Sequence, residues 1–242
     1  MKAFYDLHIH SALSPCAENE MTPNNIVNMA YIKGLDMIAV TDHNSALNCE
    51  AVLKCAKNRG IVAIPGMELE TREEVHLVCL FPGLDEAMRM HEIVNDALPK
   101  IENREDIFGQ QLVMDEDDNV IESYKQMLLT AADLSIDEAF EIVNNLSGVV
   151  VPAHVDRDSY SIISNLGMVP DYLGIKYLEI SKDCNVKEFL EKNSYLSTYG
   201  FLRSSDAHNL GQIMEKESSI ELEELSIDCF MQSIKRLCKH TF

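Results

Sequence analysis

Asp6-Leu7-His8-Ile9-His10 follows a short apolar run, Ala3 to Tyr5, and reads as the end of an N-terminal β-strand. Alternation along a strand puts residues two apart on one face, so His8 and His10 point the same way. Two neutral imidazoles held side by side on a rigid strand can share one divalent transition-metal ion. An edge strand with two polar residues would carry the same pattern. The reading therefore turns on what the rest of the chain supplies.

Working outward, Thr22-Pro23 reads as an N-cap followed by proline in the first helical turn. It opens a helix through Ile26, Val27, Met29, Ala30 and Ile32 that stops at Gly34. Met37-Ile38-Ala39-Val40 fits a strand buried on both faces and ends in Thr41-Asp42-His43. A helix from about Ala46 to Asn58, stopped by Gly60, leads to the strand Ile61-Val62-Ala63-Ile64 and on to Gly66-Met67-Glu68. Val75 to Phe81 is again strand-like and carries His76 near its start. This β-α-β-α-β rhythm predicts an α/β fold of parallel strands with helices outside them. Polar residues recur at the carboxyl ends of the strands, where such sheets and barrels place their sites.

Leu84 to Ala97 predicts a helix, and Leu112 to Tyr124 a hairpin or insertion around the turn Asp115-Glu116-Asp117-Asp118-Asn119. Ser135-Ile136-Asp137-Glu138 has the form of a capping box, opening a helix to about Leu146 that stops at Gly148. Val149-Val150-Val151 is a buried strand running into Pro152-Ala153-His154. A helix near Ser159 to Leu166, a strand Tyr177 to Ile180 and a helix Val186 to Asn193 keep up the alternation, and Phe201-Leu202 leads into Ser204-Ser205-Asp206-Ala207-His208. An amphipathic segment, Ser226 to Lys239, closes the chain with Ile227, Phe230, Met231, Ile234 and Leu237 on one face. With no Pro/Gly/Ser-rich linker and no repeat, residues 1–242 are expected to form one domain with an insertion around 84–124.

Forty acidic against twenty basic residues give a formal charge of −20. That excess predicts repulsion of a nucleic-acid backbone and of a membrane surface, so a small molecule is the expected partner, with no long nucleic acid and no membrane. No run approaches the ~18 apolar residues of a spanning helix. Met1-Lys2 leads directly into the first strand, and no signal peptide is expected. Seven cysteines, Cys16, Cys49, Cys55, Cys79, Cys184, Cys229 and Cys238, form no Cys-x-x-Cys pair and suit a reducing cytoplasm. Oligomeric state is left open.

Six of the eight histidines fall at or beside strand ends: His8, His10, His43, His76, His154 and His208. Asp6, Asp42, Glu68 and Asp206 sit alongside, while His91 and His240 fall in predicted helices. Any one of the six is ordinarily a core or loop residue. Six together at strand ends are not so explained. A mixed imidazole and carboxylate set suits Zn, Mn or Fe, and the ligand count fits two or three ions better than one.

The ordered set Asp6-Leu7-His8-Ile9-His10-Ser11, Thr41-Asp42-His43, Gly66-Met67-Glu68 with His76, Pro152-Ala153-His154 and Ser205-Asp206-Ala207-His208 resembles the PHP (polymerase and histidinol phosphatase) superfamily over nearly the whole chain. The resemblance implies a distorted (β/α)7 barrel with a metal cluster at the C-terminal ends of its strands, hydrolysing phosphate esters. It implies a first metal on His8, His10, Glu68 and Asp206, and a second on Glu68 as a bridge with His76 and His154. A third, where present, takes His43 and His208. Many members carry an Asp in a Ser-Asp-Gly triplet, or a His, shortly after the His-x-His. This chain instead reads Ser14-Pro15-Cys16-Ala17-Glu18-Asn19-Glu20. Cys16 as a thiolate, Glu18 or Glu20 is the candidate replacement, against a plain loop role for Cys16.

Two ions a few ångströms apart suit a phosphate ester, because together they neutralise a phosphoryl oxygen and activate water for in-line attack. Glu68 would anchor that bridge beside Asp206. His208 or His43, where not tied to a third metal, is the candidate donor to the leaving alkoxide. Asp42 is expected to orient the His43 ring, and Arg157 and Arg203 to clamp phosphate oxygens, each arginine weighed against a surface salt bridge. The resulting expectation is a stand-alone, cytoplasmic, metal-dependent phosphoesterase acting on a small phosphomonoester or nucleotide. Two alternatives stand beside it: an amidohydrolase-type C–N hydrolase, disfavoured by the lack of a strand-end lysine, and a non-catalytic metal-binding regulatory module, favoured only by the altered loop at Cys16.

Overall fold

The computed structural model describes residues 1–236. In order the elements are β1 (Lys2–Ile9), α1 (Pro23–Ile32), β2 (Met37–Val40), α2 (Cys49–Arg59), β3 (Val62–Glu70), β4 (His76–Leu80), α3 (Leu84–Ala97), α4 (Glu105–Phe108), β5 (Leu112–Met114), β6 (Val120–Ser123), α5 (Ile136–Asn145), β7 (Val149–Pro152), α6 (Ile162–Leu166), β8 (Tyr177–Ser181), α7 (Val186–Lys192), β9 (Gly200–Ser204), β10 (Ser219–Glu221) and α8 (Ile227–Lys235). Leu237, Cys238 and His240, which the sequence places in or near a final helix, lie outside the described residues. No helix among the described residues is long and apolar enough to cross a membrane.

Six strands join in the order β10-β1-β2-β3-β4-β7, and β8 pairs with β9. The sheet curls until the two groups meet. The Val155 amide donates to the Glu179 carbonyl at 2.8 Å across the β7–β8 gap, and the His10 amide donates to the Ala207 carbonyl at 2.9 Å across the β9–β1 gap. Seven strands thus go round a distorted α/β barrel, as expected, with β10 laid antiparallel along the start of β1. One strand departs from the predicted parallel arrangement. β4 runs antiparallel to both β3 and β7, because the residues 71–75 that separate it from β3 are too few for a crossover connection, which takes a dozen or more. The reversal brings the first residue of β4, rather than its last, to the mouth. His76 accordingly pairs opposite Glu70.

Apolar residues from all seven strands, among them Tyr5, Leu7, Met37, Ile64, Val78, Val151, Tyr177 and Leu202, form one interior cluster that also takes Phe230, Met231 and Ile234 of α8. The other face of β1 and β2 packs on α1 and α2, where Phe4, Ile9, Ile38 and Val40 meet Ile26, Val27 and Val52. Phe4 and Ile9 are an odd number of residues apart, which strict alternation forbids on a single face. A register shift in β1 between Asp6 and Ile9 resolves this, since a bulge puts an extra residue into one strand and resets its phase. Its consequence is functional: His8 and His10 turn inward on the same side as Tyr5 and Leu7, and so stand above the apolar interior.

Thr22 caps α1, and Ser135 and Glu138 form the reciprocal capping box of α5. That helix gives way at Ser147, which takes the left-handed conformation expected of Gly148. Gly148 is needed instead for room, as a Cβ there would lie 2.8 Å from the Leu80 carbonyl oxygen. The β5–β6 hairpin is strapped across the loop that follows β1. The Leu112 amide donates to the Ala12 carbonyl at 2.8 Å, and Asn48 bonds both the Leu112 carbonyl and the Met114 amide.

Candidate metal centre

Glu68, on β3, is 1% exposed, and five imidazoles close on its carboxylate. Oε1 lies 2.8 Å from His76 Nδ1, 3.2 Å from His8 Nε2 and 3.2 Å from His154 Nε2. Oε2 lies 3.0 Å from His43 Nδ1 and 3.4 Å from His10 Nε2. Asp206 joins from the far side of the barrel, its Oδ1 3.0 Å from His10 Nε2 and 3.4 Å from His8 Nε2. Three overlapping groups, His8-His10-Glu68, His43-Glu68-His76 and His10-His43-His208, each bring their ligand atoms within 4.8 Å of one another. The eight side chains come from β1, β3, β4 and the segments that leave β2, β7 and β9. His154 and Asp206 do so at φ +29° and +51°, a left-handed backbone that costs a side-chain-bearing residue on the order of 1–3 kcal/mol.

The donor set fits divalent cations. Two ligand atoms each about 2.1 Å from one ion, at tetrahedral or octahedral angles, lie about 3.0–3.4 Å apart, which is the spacing found here. Glu68 Oε2 and Asp206 Oδ1 are buried yet accept no hydrogen bond. The nitrogens around them meet them at angles unsuited to one, as atoms aimed at a common centre do.

Groups behind the cluster set which ring nitrogen faces it. Asp42 accepts from the Ser11 amide, the Ser11 hydroxyl and the Ser14 hydroxyl at 2.6 to 2.7 Å. Ser14 Oγ in turn accepts from His10 Nδ1 at 3.0 Å and from the His43 amide at 3.1 Å. This corrects the expected role of Asp42: through Ser14 it orients the ring of His10, and only the backbone of His43. Glu179, which the sequence reading passed over, lies 2.9 Å from His8 Nδ1 and accepts the His154 amide at 3.1 Å. A carboxylate between Leu178 and Ile180 of a buried strand was the available signal, since a buried charge requires a partner. Asp6 accepts from Ser205 N and Oγ and from the Met214 amide, tying the segment that carries Asp206 to β1.

Cys16 is exposed, and it lies near enough to His43 to help raise that ring's pKa. Glu18 and Glu20 are exposed. Arg157 reaches the centre, with Nη1 2.6 Å from Asp206 Oδ2. Arg203 does not serve as the expected phosphate clamp, because its guanidinium donates to the carbonyls of Ser181, Lys182 and Cys184 and so fastens the β8–α7 turn.

Burial opposes charge on His10, but the Asp206 and Glu68 carboxylates outweigh it and hold the ring up at about 9. Burial and the neighbouring His10 oppose charge on His43 likewise, and Glu68 and Cys16 lift it to about 9. Burial and His10 push His208 down to about 4. Without a cation the cluster therefore carries protons that metal must displace. Burial opposes charge on His8 too, but the Glu179, Glu68 and Asp206 carboxylates raise it well above the ordinary imidazole range. Loading metal at neutral pH is therefore expected to release roughly three protons per chain, measured by titration calorimetry in buffers of differing ionisation enthalpy. Affinity should weaken as pH falls below about 9, where His10 and His43 take up two of those protons.

A model of the PHP domain matches residues 6–168, which include every residue of the eight-membered cluster except Asp206 and His208. The chain belongs to the PHP domain family. PHP domains are metal-dependent hydrolases. A 5′-3′ exoribonuclease of Haemophilus influenzae is 34% identical over 79 residues, which are 31% of this chain and 28% of that protein. The lesion-specific endonuclease PfuEndoQ of Pyrococcus furiosus superposes with a TM-score of 0.69 at 21% identity, over 97% of this chain and 56% of its own. A protein assigned as a metal-dependent phosphoesterase from Bifidobacterium adolescentis gives 0.60 at 18% identity, over 88% and 91%. The chain spans little more than half of the endonuclease and a smaller part of the exoribonuclease.

Endonuclease Q has also been solved with a 27-mer duplex carrying an abasic lesion at the active site, and that structure matches with a TM-score of 0.71 at 21% identity, over 97% of this chain and 57% of its own. It corrects the expectation of a small-molecule partner, a phosphate ester or nucleotide, with long nucleic acid excluded. A net charge sums the whole surface, whereas cations held at a site decide the local field that a phosphate meets.

Proposed function

We propose that the chain is a metal-dependent phosphoesterase that cleaves a phosphate ester of a nucleic-acid strand. The carrying observation is the Glu68 carboxylate with five imidazoles within 3.4 Å and Asp206 alongside. His8, His10, Glu68 and Asp206 would hold one divalent ion, and Glu68, His76 and His154 a second. His43 and His208 would hold a third, with Cys16 as the added ligand. Zn, Mn or Fe suits these donors. Such ions supply Lewis-acid stabilisation of the phosphoryl oxygens and activation of the attacking water.

The chain's own residues do the rest. Glu68 and Asp206 concentrate negative charge where the cations bind. Arg157, 41% exposed at its side chain and paired with Asp206, presents a planar fork to a non-bridging phosphate oxygen. His208, neutral at physiological pH, suits a ligand; His43, where no third ion takes it, holds the proton a leaving oxygen needs. A groove of about 430 Å³ opens beside Arg157, where Lys192, Asn185 and Asn193 face the carboxylates of Asp156, Asp158 and Glu188. The exoribonuclease and endonuclease Q act on nucleic acids by name, which supports the substrate class.

The test is incubation of metal-loaded protein with end-labelled RNA and DNA oligonucleotides, single-stranded and duplex, beside p-nitrophenyl phosphate. Metal-dependent cleavage of an oligonucleotide, abolished by chelator, is the expected result. Turnover of the small ester with no oligonucleotide cleaved would overturn the substrate class.

A further inference from the structure

Tyr160 lies in the loop from β7 to α6 and carries its ring at the edge of the centre. The ring stacks on the His76 imidazole, centroids 4.6 Å apart and planes 27° from parallel. Its backbone is left-handed at φ +55°, a conformation uncommon for a bulky residue. The surroundings hold it there. The Tyr160 carbonyl accepts the His76 amide at 2.9 Å, Ser161 caps α6, and Asn165 on that helix donates to the carbonyls of Glu73 and Glu74. The loop is thus clamped to β4 at Tyr160 itself, and to the turn between β3 and β4 a few residues further on. Yet the residue remains 45% exposed, so the strained placement buries only part of the ring.

We infer that Tyr160 is a stacking platform for the nucleobase next to the scissile phosphate, a proposal that rests on the nucleic-acid reading above. His76 touches Glu68 at 2.8 Å, so the Tyr160 ring is one imidazole removed from the centre. A base joined through its sugar to a phosphate held there comes within reach of the ring. Aromatic stacking accepts any base, because every base has a π-face. The platform therefore favours a nucleotide over a baseless ester without reading sequence.

A double-mutant cycle in which one arm is the substrate tests this. Wild type and Tyr160→Ala are each assayed on an oligonucleotide and on the same strand made abasic at the nucleotide flanking the cleaved bond, with metal per chain measured in parallel. Base removal is expected to raise the wild-type KM about tenfold. Tyr160→Ala should raise KM on the complete strand about as much and show no further rise on the abasic strand, while Tyr160→Phe behaves as wild type. An equal penalty for base removal in both proteins overturns the platform, as does equal loss on both strands with fewer bound ions, which would make Tyr160 a support for His76. Wild-type failure on every oligonucleotide refutes the nucleic-acid reading itself and takes the platform with it.

Discussion

Glu68→Gln is expected to strip bound metal from the protein and to lower turnover by more than about a thousandfold, with no recovery in excess metal. Glutamine keeps the shape of the side chain but replaces an anion with a neutral amide, whose NH2 faces imidazoles that must themselves present lone pairs to a cation. The change falls on the one group common to the first two proposed ion sites, so both would lose a ligand. Metal per chain and activity at increasing metal concentration are the readouts; wild-type metal content in the variant would sink the scheme. A second signature separates this from unfolding. In metal-free protein the carboxylates hold His10 and His43 at about 9, against about 6.5 in an unfolded chain. A raised folded pKa contributes stability that is fully present below about 6.5 and lost as pH rises through about 9. Removing Glu68 removes one source of that lift. The fall in melting temperature across that window should be shallower in Glu68→Gln than in wild type, while both remain cooperatively folded.

What the sequence revealed and what it hid have physical causes. Ligands at strand ends were legible because apolar runs end abruptly in polar groups, as at Val40 before Thr41-Asp42-His43. The hairpin at 112–124 and the caps at Thr22 and Ser135 were legible because their signals are local. Periodicity looks alike in parallel and antiparallel strands and so does not give the direction of β4; the short link at 71–75 does. The bulge in β1 left no mark, since a phase shift is visible only once Phe4 and Ile9 are seen on one face. Arg203 and Arg157 looked equivalent, each a few residues from a ligand. Only the fold separates them, because one guanidinium meets three carbonyls of its own turn and the other meets Asp206.

Glu179→Gln is the sharper test of how the centre is held. Glu179 is 3% exposed, and its carboxylate takes the Nδ1 side of His8 at 2.9 Å while accepting the amide of His154 at 3.1 Å. The first contact leaves His8 Nε2 free to face the cation; the second holds His154 in its left-handed turn. One residue from each of the two proposed ion sites, His8 and His154, thus leans on a single carboxylate. The amide retains one acceptor oxygen and loses the charge, so His8 becomes a weaker donor and is less firmly oriented. Metal affinity should fall about 10- to 100-fold, and activity should fall with it at limiting metal but return towards the wild-type level in excess metal. That recovery is what distinguishes Glu179 from Glu68, where added metal restores nothing. Glu179→Ala goes further, leaving a buried imidazole N–H and a buried amide without acceptors at a cost of about 2–4 kcal/mol, and its melting temperature should drop where that of Glu179→Gln barely moves. Unchanged metal affinity in Glu179→Gln would show that packing alone orients His8, and would leave the buried carboxylate without a role in the centre.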